Sequence, residues 1–315
     1  MKIAILDDYQ DLALRIADWS VLEGAEITVF NDTISDERAL VARLESFAVI
    51  GAMRERTPFP RSLLEKLPNL KLLVTTGMRN ASIDLEAAAE LDITVSGTGG
   101  VGHPTAELTW GLILALCRSI PLEHEAMRRG GWQTTLGLDL KDRTLGVIGL
   151  GRLGSQVARV GNAFGMNVVA WSENLTAERA AECGATLLDK ETLVSTADVI
   201  TLHLVLSERS RGTIGPRELA LMKPTAVLIN TSRGPIVEQW ALVSALKENL
   251  IAGAALDVYD EEPLAPDHPL RSLPDVVLTP HLGYVTEATY ETFYPEMVEA
   301  IAAFMAGSPI RVLGR

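Results

Sequence analysis

The sequence of 315 residues contains only two cysteines and no long apolar run. Cys117 and Cys183 lack C-x-x-C spacing, so we expect unpaired thiols in a reducing compartment, the cytoplasm, and no metal site. The apolar run at 112–117 is too short to cross a bilayer. Residues 1–7 are typical of a strand and not of a signal peptide, so no membrane partner is expected.

Basic residues are also scarce in this chain. The 28 lysines and arginines are outnumbered by 41 aspartates and glutamates, which gives a net charge of −13. This balance argues against a nucleic acid as partner. If the substrate is an anion, local arginines must overcome the repulsive field of the whole protein.

Apolar runs alternate with helical patterns along both halves of the chain. In the first half, the candidate strands are residues 3–6, 26–30, 48–51, 70–75 and 93–95. In the second half, they are residues 145–148, 167–171, 198–204, 226–230, 253–257 and 276–278. Such alternation is typical of parallel strands joined by crossover helices. We therefore predict an α/β fold with two doubly wound parallel-sheet domains, joined near the glycine cluster at 97–102.

The stretch 144–154 predicts a dinucleotide site. It is typical of a buried strand, a glycine turn and the first turn of a helix. Gly149 permits the tight turn, Gly151 lets the backbone approach a pyrophosphate, and Gly154 lets helix and strand pack closely. Gly-x-Gly-x-x-Gly alone is a weak pattern, but the next strand at 167–171 follows at the distance that a strand–helix–strand unit requires.

Three later strands each lead into a polar side chain suited to chemistry. The strand at 226–230 leads to Arg233, the strand at 253–257 to Glu262, and the strand at 276–278 to His281. Ligands of parallel sheets bind outside the carboxyl ends of the strands, so we expect these three side chains to gather where a nicotinamide would lie. Taken singly, each is more often a surface charge or a core histidine, but jointly they favour a function.

These residue types suit the reduction of a 2-keto acid. Arg233 can hold a carboxylate bidentately and polarise the neighbouring carbonyl. A histidine is the usual proton donor near neutral pH, so His281 can give a proton to the carbonyl oxygen. Glu262, hydrogen-bonded to His281, favours the imidazolium and fixes its tautomer. The nicotinamide itself supplies the hydride.

Through these motifs, the chain resembles the D-isomer-specific 2-hydroxyacid dehydrogenases over essentially its whole length. The matching segments are Gly149–Gly154, Leu202–His203, Met222–Pro224, Asn230–Gly234, Ala255–Val258 with Glu262–Pro263, and Thr279–Gly283. The resemblance implies a Rossmann cofactor domain at 104–285, inserted in a flavodoxin-like substrate domain made of 1–103 and 286–315. It also implies a homodimer formed through the cofactor domain, with residues 120–140 as an arm.

The resemblance implies specific roles for the residues of this chain. Arg233, Glu262 and His281 would be catalytic, and Asp257 would contact the nicotinamide carboxamide. The implied cofactor-binding residues are Gly149, Gly151, Arg152, Leu153, Gly154, Ser172, Leu204, Thr231, Ser232, Asp257 and Gly283. The implied substrate-binding residues are Arg54, Thr76, Gly77, Met78, Arg79 and Arg233, of which Arg79 could hold a second anionic group.

The expected function is therefore hydride transfer between NAD and a small 2-keto or 2-hydroxy acid, such as hydroxypyruvate, glyoxylate or a phosphoglycerate-like acid. NADP is not excluded, because Ser172 stands where NAD-preferring relatives have an aspartate for the ribose 2′-OH. Serine removes the repulsion against a 2′-phosphate, yet Glu173 would oppose one. The alternative function is an NAD(H)-sensing, corepressor-type binding protein of the same fold.

Overall fold

The structure is a computed structural model that describes residues 1–314; Arg315, the predicted end of the substrate domain, lies outside the described residues. The chain divides into two units. The smaller unit comprises Met1–Val101 and Thr286–Arg315, and the larger comprises Gly102–Val285. Among the described residues, no helix combines the length and apolar character needed to cross a membrane.

The smaller unit contains a five-stranded parallel sheet in the order β2-β1-β3-β4-β5. Its strands are β1 Lys2–Ile5, β2 Glu26–Val29, β3 Val49–Ala52, β4 Leu72–Thr75 and β5 Thr94–Gly97. Its helices are α1 Ala13–Ile16, α2 Glu37–Leu44, α3 Arg61–Leu64, α4 Leu85–Glu90 and, from the end of the chain, α12 Glu287–Met305. This strand order is the flavodoxin-like form of the doubly wound fold.

The larger unit contains a seven-stranded parallel sheet in the order β12-β11-β10-β9-β6-β7-β8. Its strands are β6 Thr144–Ile148, β7 Asn167–Trp171, β8 Thr186–Leu187, β9 Val199–Leu202, β10 Val227–Asn230, β11 Gly253–Leu256 and β12 Val276–Leu278. Its helices are α5 Pro104–Cys117, α6 Ile120–Arg128, α7 Arg152–Ala163, α8 Ala177–Glu182, α9 Lys190–Thr196, α10 Pro216–Leu221 and α11 Gln239–Lys247. Strand order reverses at β6, as in the Rossmann fold, so the predicted fold class is confirmed.

Burial on both sheet faces explains why the strands have nearly continuous apolar sequences. Every residue of β9, β10 and β11 is buried, as expected for a parallel sheet covered by helices on both sides. The larger unit holds two apolar clusters, and the smaller unit contains a further one around β3 and β4. Side-chain caps begin several helices; Asp36, for example, accepts a hydrogen bond from the Ala39 N–H at the start of α2.

Strand boundaries differ from the prediction by a few residues. The strand expected at 93–95 is Thr94–Gly97, and the one expected at 70–75 begins at Leu72. The short strand β8, Thr186–Leu187, was not predicted, because a strand of two residues has no apolar period to detect. The long helix α12 packs against β4 and β5 of the smaller unit.

Candidate active site

The glycine turn joins β6 to α7 at the carboxyl edge of the larger sheet. Gly149 has a φ of +99°, and a Cβ there would lie 2.6 Å from the His203 carbonyl oxygen. A Cβ on Gly154 would lie 2.0 Å from the Gly149 carbonyl oxygen, so this position accepts only glycine without a shift of the backbone. Both glycines are therefore required by the packing of the turn.

The middle glycine of the turn, Gly151, faces open space. A Cβ built on Gly151 meets nothing within 4 Å. Gly151 is also the N-cap of α7, where no side chain caps the helix. Its unpaired N–H groups and the positive end of the helix dipole fit the pyrophosphate of a dinucleotide. The following residues of the first turn, Arg152 and Leu153, lie at this end, and Arg152 is exposed.

The predicted cofactor groove is lined by residues that follow β7, β9 and β10. Ser172 Oγ lies 3.4 Å from the Leu150 N–H, at the outer end of the glycine turn. Leu204 Cδ2 lies against the backbone of that turn. Ser232 Oγ donates to the backbone carbonyl of Leu202 at 2.7 Å. Thr231 is buried, and its hydroxyl shares a hydrogen bond with a threonine hydroxyl of α5. These two hydroxyls are thus engaged inside the protein.

His203 lies beside the glycine turn, with its backbone carbonyl against Gly149. Burial lowers the pKa of His203 to about 4, so the ring is neutral at pH 7. Its Nε2 lies 3.0 Å from Thr201 Oγ1. The side chain therefore carries no positive charge that could attract cofactor phosphates.

The candidate catalytic groups follow β10, β11 and β12, and the last residues of these three strands pair with one another. Asn230 of β10 pairs with Leu256 of β11, and Leu256 pairs with Leu278 of β12. The loops that follow these three strands therefore leave the sheet at the same level. This register is what brings their side chains to one edge.

His281 and Glu262 form a direct pair at this edge. The two side chains are joined at 2.6 Å between His281 Nδ1 and Glu262 Oε2, with 19% and 28% of their respective surfaces exposed. The other carboxylate oxygen, Oε1, accepts a hydrogen bond from the Tyr259 N–H at 2.9 Å. Because both oxygens of Glu262 are held, the carboxylate fixes the orientation of the imidazole. His281 has a φ of +54°, in the left-handed region that only a few non-glycine residues adopt.

Asp257 is fully buried beside the same pair of loops. Its carboxylate accepts hydrogen bonds from Thr279 Oγ1 at 2.6 Å, the Leu282 N–H at 2.7 Å and the Gly283 N–H at 2.8 Å. Burial raises the pKa of this carboxyl, whereas the three donors favour the ionised form. The arrangement anchors the loop that carries His281 to the end of β11.

Arg233 lies in a loop that is held by two hydrogen bonds of the Asn230 side chain. Asn230 Nδ2 donates to Arg233 O at 2.9 Å, and Asn230 Oδ1 accepts from the Ser232 N–H at 3.0 Å. A Cβ on the next residue, Gly234, would lie 2.0 Å from the Tyr259 carbonyl carbon. The loop of Arg233 is thus packed directly against the loop of Glu262. Sequence analysis missed Tyr259, whose backbone N–H holds Glu262 and whose hydroxyl donates to Leu256 O at 3.1 Å and to Thr279 O at 2.9 Å.

In the smaller unit, three of the five predicted substrate residues meet at the carboxyl edge of the sheet. The Arg54 N–H donates to Thr76 Oγ1 at 2.9 Å, and Arg54 Nη1 donates to Thr76 O at 3.0 Å. A Cβ on Gly77 would lie 2.0 Å from Arg54 Nη1, so the guanidinium lies directly over this glycine. Met78 and Arg79 follow in the same loop and are exposed.

Asn80 is a further residue of this loop that sequence analysis missed. It is 7% exposed. Its Nδ2 donates to Arg54 O at 2.7 Å and to Thr75 Oγ1 at 2.9 Å. An asparagine shortly after a strand is a common turn residue, and this is the signal that could have identified it.

Comparison with known proteins agrees with this geometry. A family model described as the NAD binding domain of D-isomer specific 2-hydroxyacid dehydrogenase matches residues 110–283. Glyoxylate reductase from Aeropyrum pernix is 41% identical over 255 residues, which are 78% of this chain and 76% of that protein. D-3-phosphoglycerate dehydrogenase from Methanocaldococcus jannaschii is 36% identical over 98% of this chain, which spans only 58% of that relative's length.

Among solved structures, the crystal structure of a phosphoglycerate oxidoreductase from Vibrio cholerae superposes with a TM-score of 0.93. Its sequence is 41% identical to this one, and the match covers 98% of this chain and 100% of that chain. The similarity therefore extends through both units and is not limited to the nucleotide-binding half.

Proposed function

This chain belongs to the D-isomer specific 2-hydroxyacid dehydrogenase family, and on that premise we propose that it reduces a small 2-keto acid, with hydroxypyruvate, glyoxylate and a phosphoglycerate-like acid as the candidate substrates. The protein is an oxidoreductase that uses NAD(P). The observation that carries the proposal is the His281–Glu262 pair at 2.6 Å, on the same sheet edge as the glycine turn. Nothing favours the corepressor-type alternative.

His281 is the proton donor in this proposal. Its Nδ1 is engaged by Glu262, so Nε2 is the ring atom left to deliver a proton to the keto oxygen. Glu262 stabilises the imidazolium and keeps the ring in one tautomer, because its own position is held by the Tyr259 N–H. A bound reduced nicotinamide supplies the hydride. Arg233 binds the substrate carboxylate and polarises the carbonyl.

The cofactor preference that we propose is NAD. A 2′-phosphate requires a nearby free cation, and the acidic Glu173 follows Ser172 directly. Arg179, in the next helix, is joined to Glu182 at 3.0 Å, so its charge is already partly compensated. We expect kcat/KM with NADH to exceed that with NADPH; the opposite preference would contradict this assignment.

We assign a part in substrate recognition to the loops of the smaller unit that carry Arg54 and Thr76. Arg54 and the backbone of Thr76–Gly77 form a polar cluster at a sheet edge. Met78 and Arg79 extend this loop as exposed side chains. In parallel α/β sheets, this edge is where ligands bind, which supports the assignment.

A homodimer through the larger unit is the proposed assembly. The segment 120–136 carries large apolar side chains that are exposed, including Trp132 at 74% and Leu136 at 97%. The others are Ile120, Leu122 and Met127. Apolar groups concentrated in one exposed segment mark protein–protein interfaces. Light scattering of the purified protein tests this: a monomer at micromolar concentration would refute it.

The activity is tested with a panel of 2-keto acids, with NADH and NADPH, followed by nicotinamide absorbance. Each acid is assayed with the wild type and with His281→Ala. We expect turnover of at least one small 2-keto acid by the wild type and a loss of turnover, with retained NADH binding, in the variant. Absence of turnover with the whole panel would refute the proposed function.

A further inference from the structure

Relatives leave open whether the substrate carries a phosphate group. One is named a glyoxylate reductase, and another is named a D-3-phosphoglycerate dehydrogenase. The loop after β3 bears on this choice, because an acidic residue, Glu55, directly follows the proposed substrate ligand Arg54. The charge of this acidic group has no part in the mechanism described above.

Glu55 is positioned against the guanidinium of Arg54. Its Oε2 lies 3.7 Å from Arg54 Nε, and the two side chains are 18% and 23% exposed, respectively. The Glu55 Oε2 atom itself is buried. At this distance and burial, the carboxylate offsets a large part of the positive charge that Arg54 presents to a ligand.

Arg54 is held in this position and is not free to turn away from Glu55. Its Nη1 donates to Thr76 O at 3.0 Å, its backbone N–H donates to Thr76 Oγ1, and its carbonyl accepts from Asn80 Nδ2. Its backbone φ of +52° lies in the left-handed region. The ion pair is therefore built into the loop geometry.

The other two arginines near this edge have different surroundings. Arg56 is directed toward the loop after β1, where its Nη1 donates to Asp7 O at 2.8 Å and its Cζ lies 4.5 Å from the Tyr9 ring centroid. Arg79 is exposed, so water and salt screen its charge. Arg54 is the arginine that lies over the Thr76–Gly77 backbone.

We propose that Glu55 is a specificity-determining residue that selects 2-keto acids without a phosphate group. A phosphate ester carries about 1.5–2 negative charges at pH 7. Beside a partly buried carboxylate it meets like-charge repulsion, which is a common way to reject a competing ligand. A neutral hydroxymethyl or hydrogen substituent meets no such repulsion. The inference rests on the proposed function, because it assumes that the Arg54 loop binds the substrate.

The test compares hydroxypyruvate with its 3-phosphate ester, two substrates that differ only in the phosphate. Steady-state kcat and KM are measured for both with the wild type, Glu55→Gln, Glu55→Asp and the control Glu26→Gln. The Gln variant removes the charge at nearly constant volume, and the Asp variant keeps the charge. Glu26 is exposed at the start of β2, at the opposite sheet edge, so its Gln variant changes the net charge equally but remotely.

The wild type is expected to favour hydroxypyruvate by at least about tenfold in kcat/KM, a difference of about 1.4 kcal/mol. In Glu55→Gln the KM for the phosphate ester is expected to fall about tenfold relative to the KM for hydroxypyruvate, so that the preference is lost. Glu55→Asp and Glu26→Gln keep the wild-type preference. Thermal unfolding of each variant confirms that the fold is intact.

Two results overturn the proposal. One is a wild type that already prefers the phosphate ester, and this measurement does not depend on any variant. The other is a Glu55→Gln variant whose preference is the same as that of Glu26→Gln. In both cases the enzyme reduces a 2-keto acid, so the proposed function stands. A wild type that reduces neither substrate nor any other 2-keto acid overturns the proposed function, and this inference with it.

Discussion

Replacing Glu262 by glutamine tests the pairing on which the proposed chemistry depends. Glutamine keeps the volume, and its side-chain oxygen can still accept from the Tyr259 N–H, which now bonds Glu262 Oε1 at 2.9 Å. The loop conformation is therefore expected to persist. What is lost is the negative charge facing His281 Nδ1 at 2.6 Å.

The size of the effect follows from the strength of that contact. A hydrogen bond to a charged group contributes about 1.5–3 kcal/mol, and each 1.4 kcal/mol corresponds to about a factor of ten in rate. Glu262 stabilises the imidazolium, so losing this stabilisation slows the proton-transfer step. We expect kcat to decrease between about tenfold and a hundredfold, with little change in the Kd for NADH.

The assay is nicotinamide absorbance at saturating 2-keto acid, combined with NADH binding by fluorescence. Glu261→Gln is the matched control, because Glu261 is an exposed neighbour with the same charge. A kcat within threefold of the wild type for Glu262→Gln would show that the pair has no part in proton transfer. An equal loss in Glu261→Gln would attribute the effect to the general field of the acidic loop.

The remaining predictions concern the other residues of the two sheet edges. His281→Asn should lower kcat by about 10²–10⁴ while NADH fluorescence titrations stay unchanged; an unchanged kcat would remove it from the mechanism. Arg233→Ala should raise KM and lower kcat, as steady-state kinetics would show, whereas an effect on NADH binding alone would contradict the assigned role. Asn80→Ala leaves the partly buried carbonyl of Arg54 without its 2.7 Å donor, so chemical denaturation should show a loss of stability of about 1–3 kcal/mol and KM should rise. Gly154→Ala introduces a Cβ 2.0 Å from a backbone carbonyl, so NADH binding should weaken and stability should fall by about 1–3 kcal/mol; a wild-type Kd would refute the packing argument.

The parallel-sheet fold was predictable because its signals are local. Strands buried on both faces, such as β9 and β10, are short apolar runs, and the glycines of the turn after β6 mark a backbone that a side chain would obstruct. The strand ends also predicted where polar groups gather, since parallel strands point their carboxyl ends in one direction. The pairing of Asn230, Leu256 and Leu278 at one level is a property of register, which no local pattern contains.

The supporting contacts of the site were not predictable in the same way. Tyr259 holds Glu262 through its backbone N–H, a contact that its residue type does not signal. Asn80 and Glu55 act on Arg54 through loop conformations that depend on a left-handed residue at Arg54 itself. A non-glycine residue seldom adopts that conformation, and the sequence does not mark it. Residue types therefore suggested the candidate reacting groups, whereas most of the contacts that position them became visible only in the structure.

The net charge of −13 has a consequence for how anions reach these two edges. Cofactor and keto acid are both negatively charged, so the protein as a whole repels them over distances up to the Debye length, about 8 Å at physiological ionic strength. The attraction must come from groups within contact distance. At the glycine turn these are the N–H groups beside Gly151, which no side chain caps. At the smaller sheet edge the corresponding cation is Arg54, and Glu55 reduces its charge. We therefore expect the cofactor turn to attract anions through its N–H groups, and the Arg54 loop, as proposed above, to discriminate among substrates by the charge that they carry.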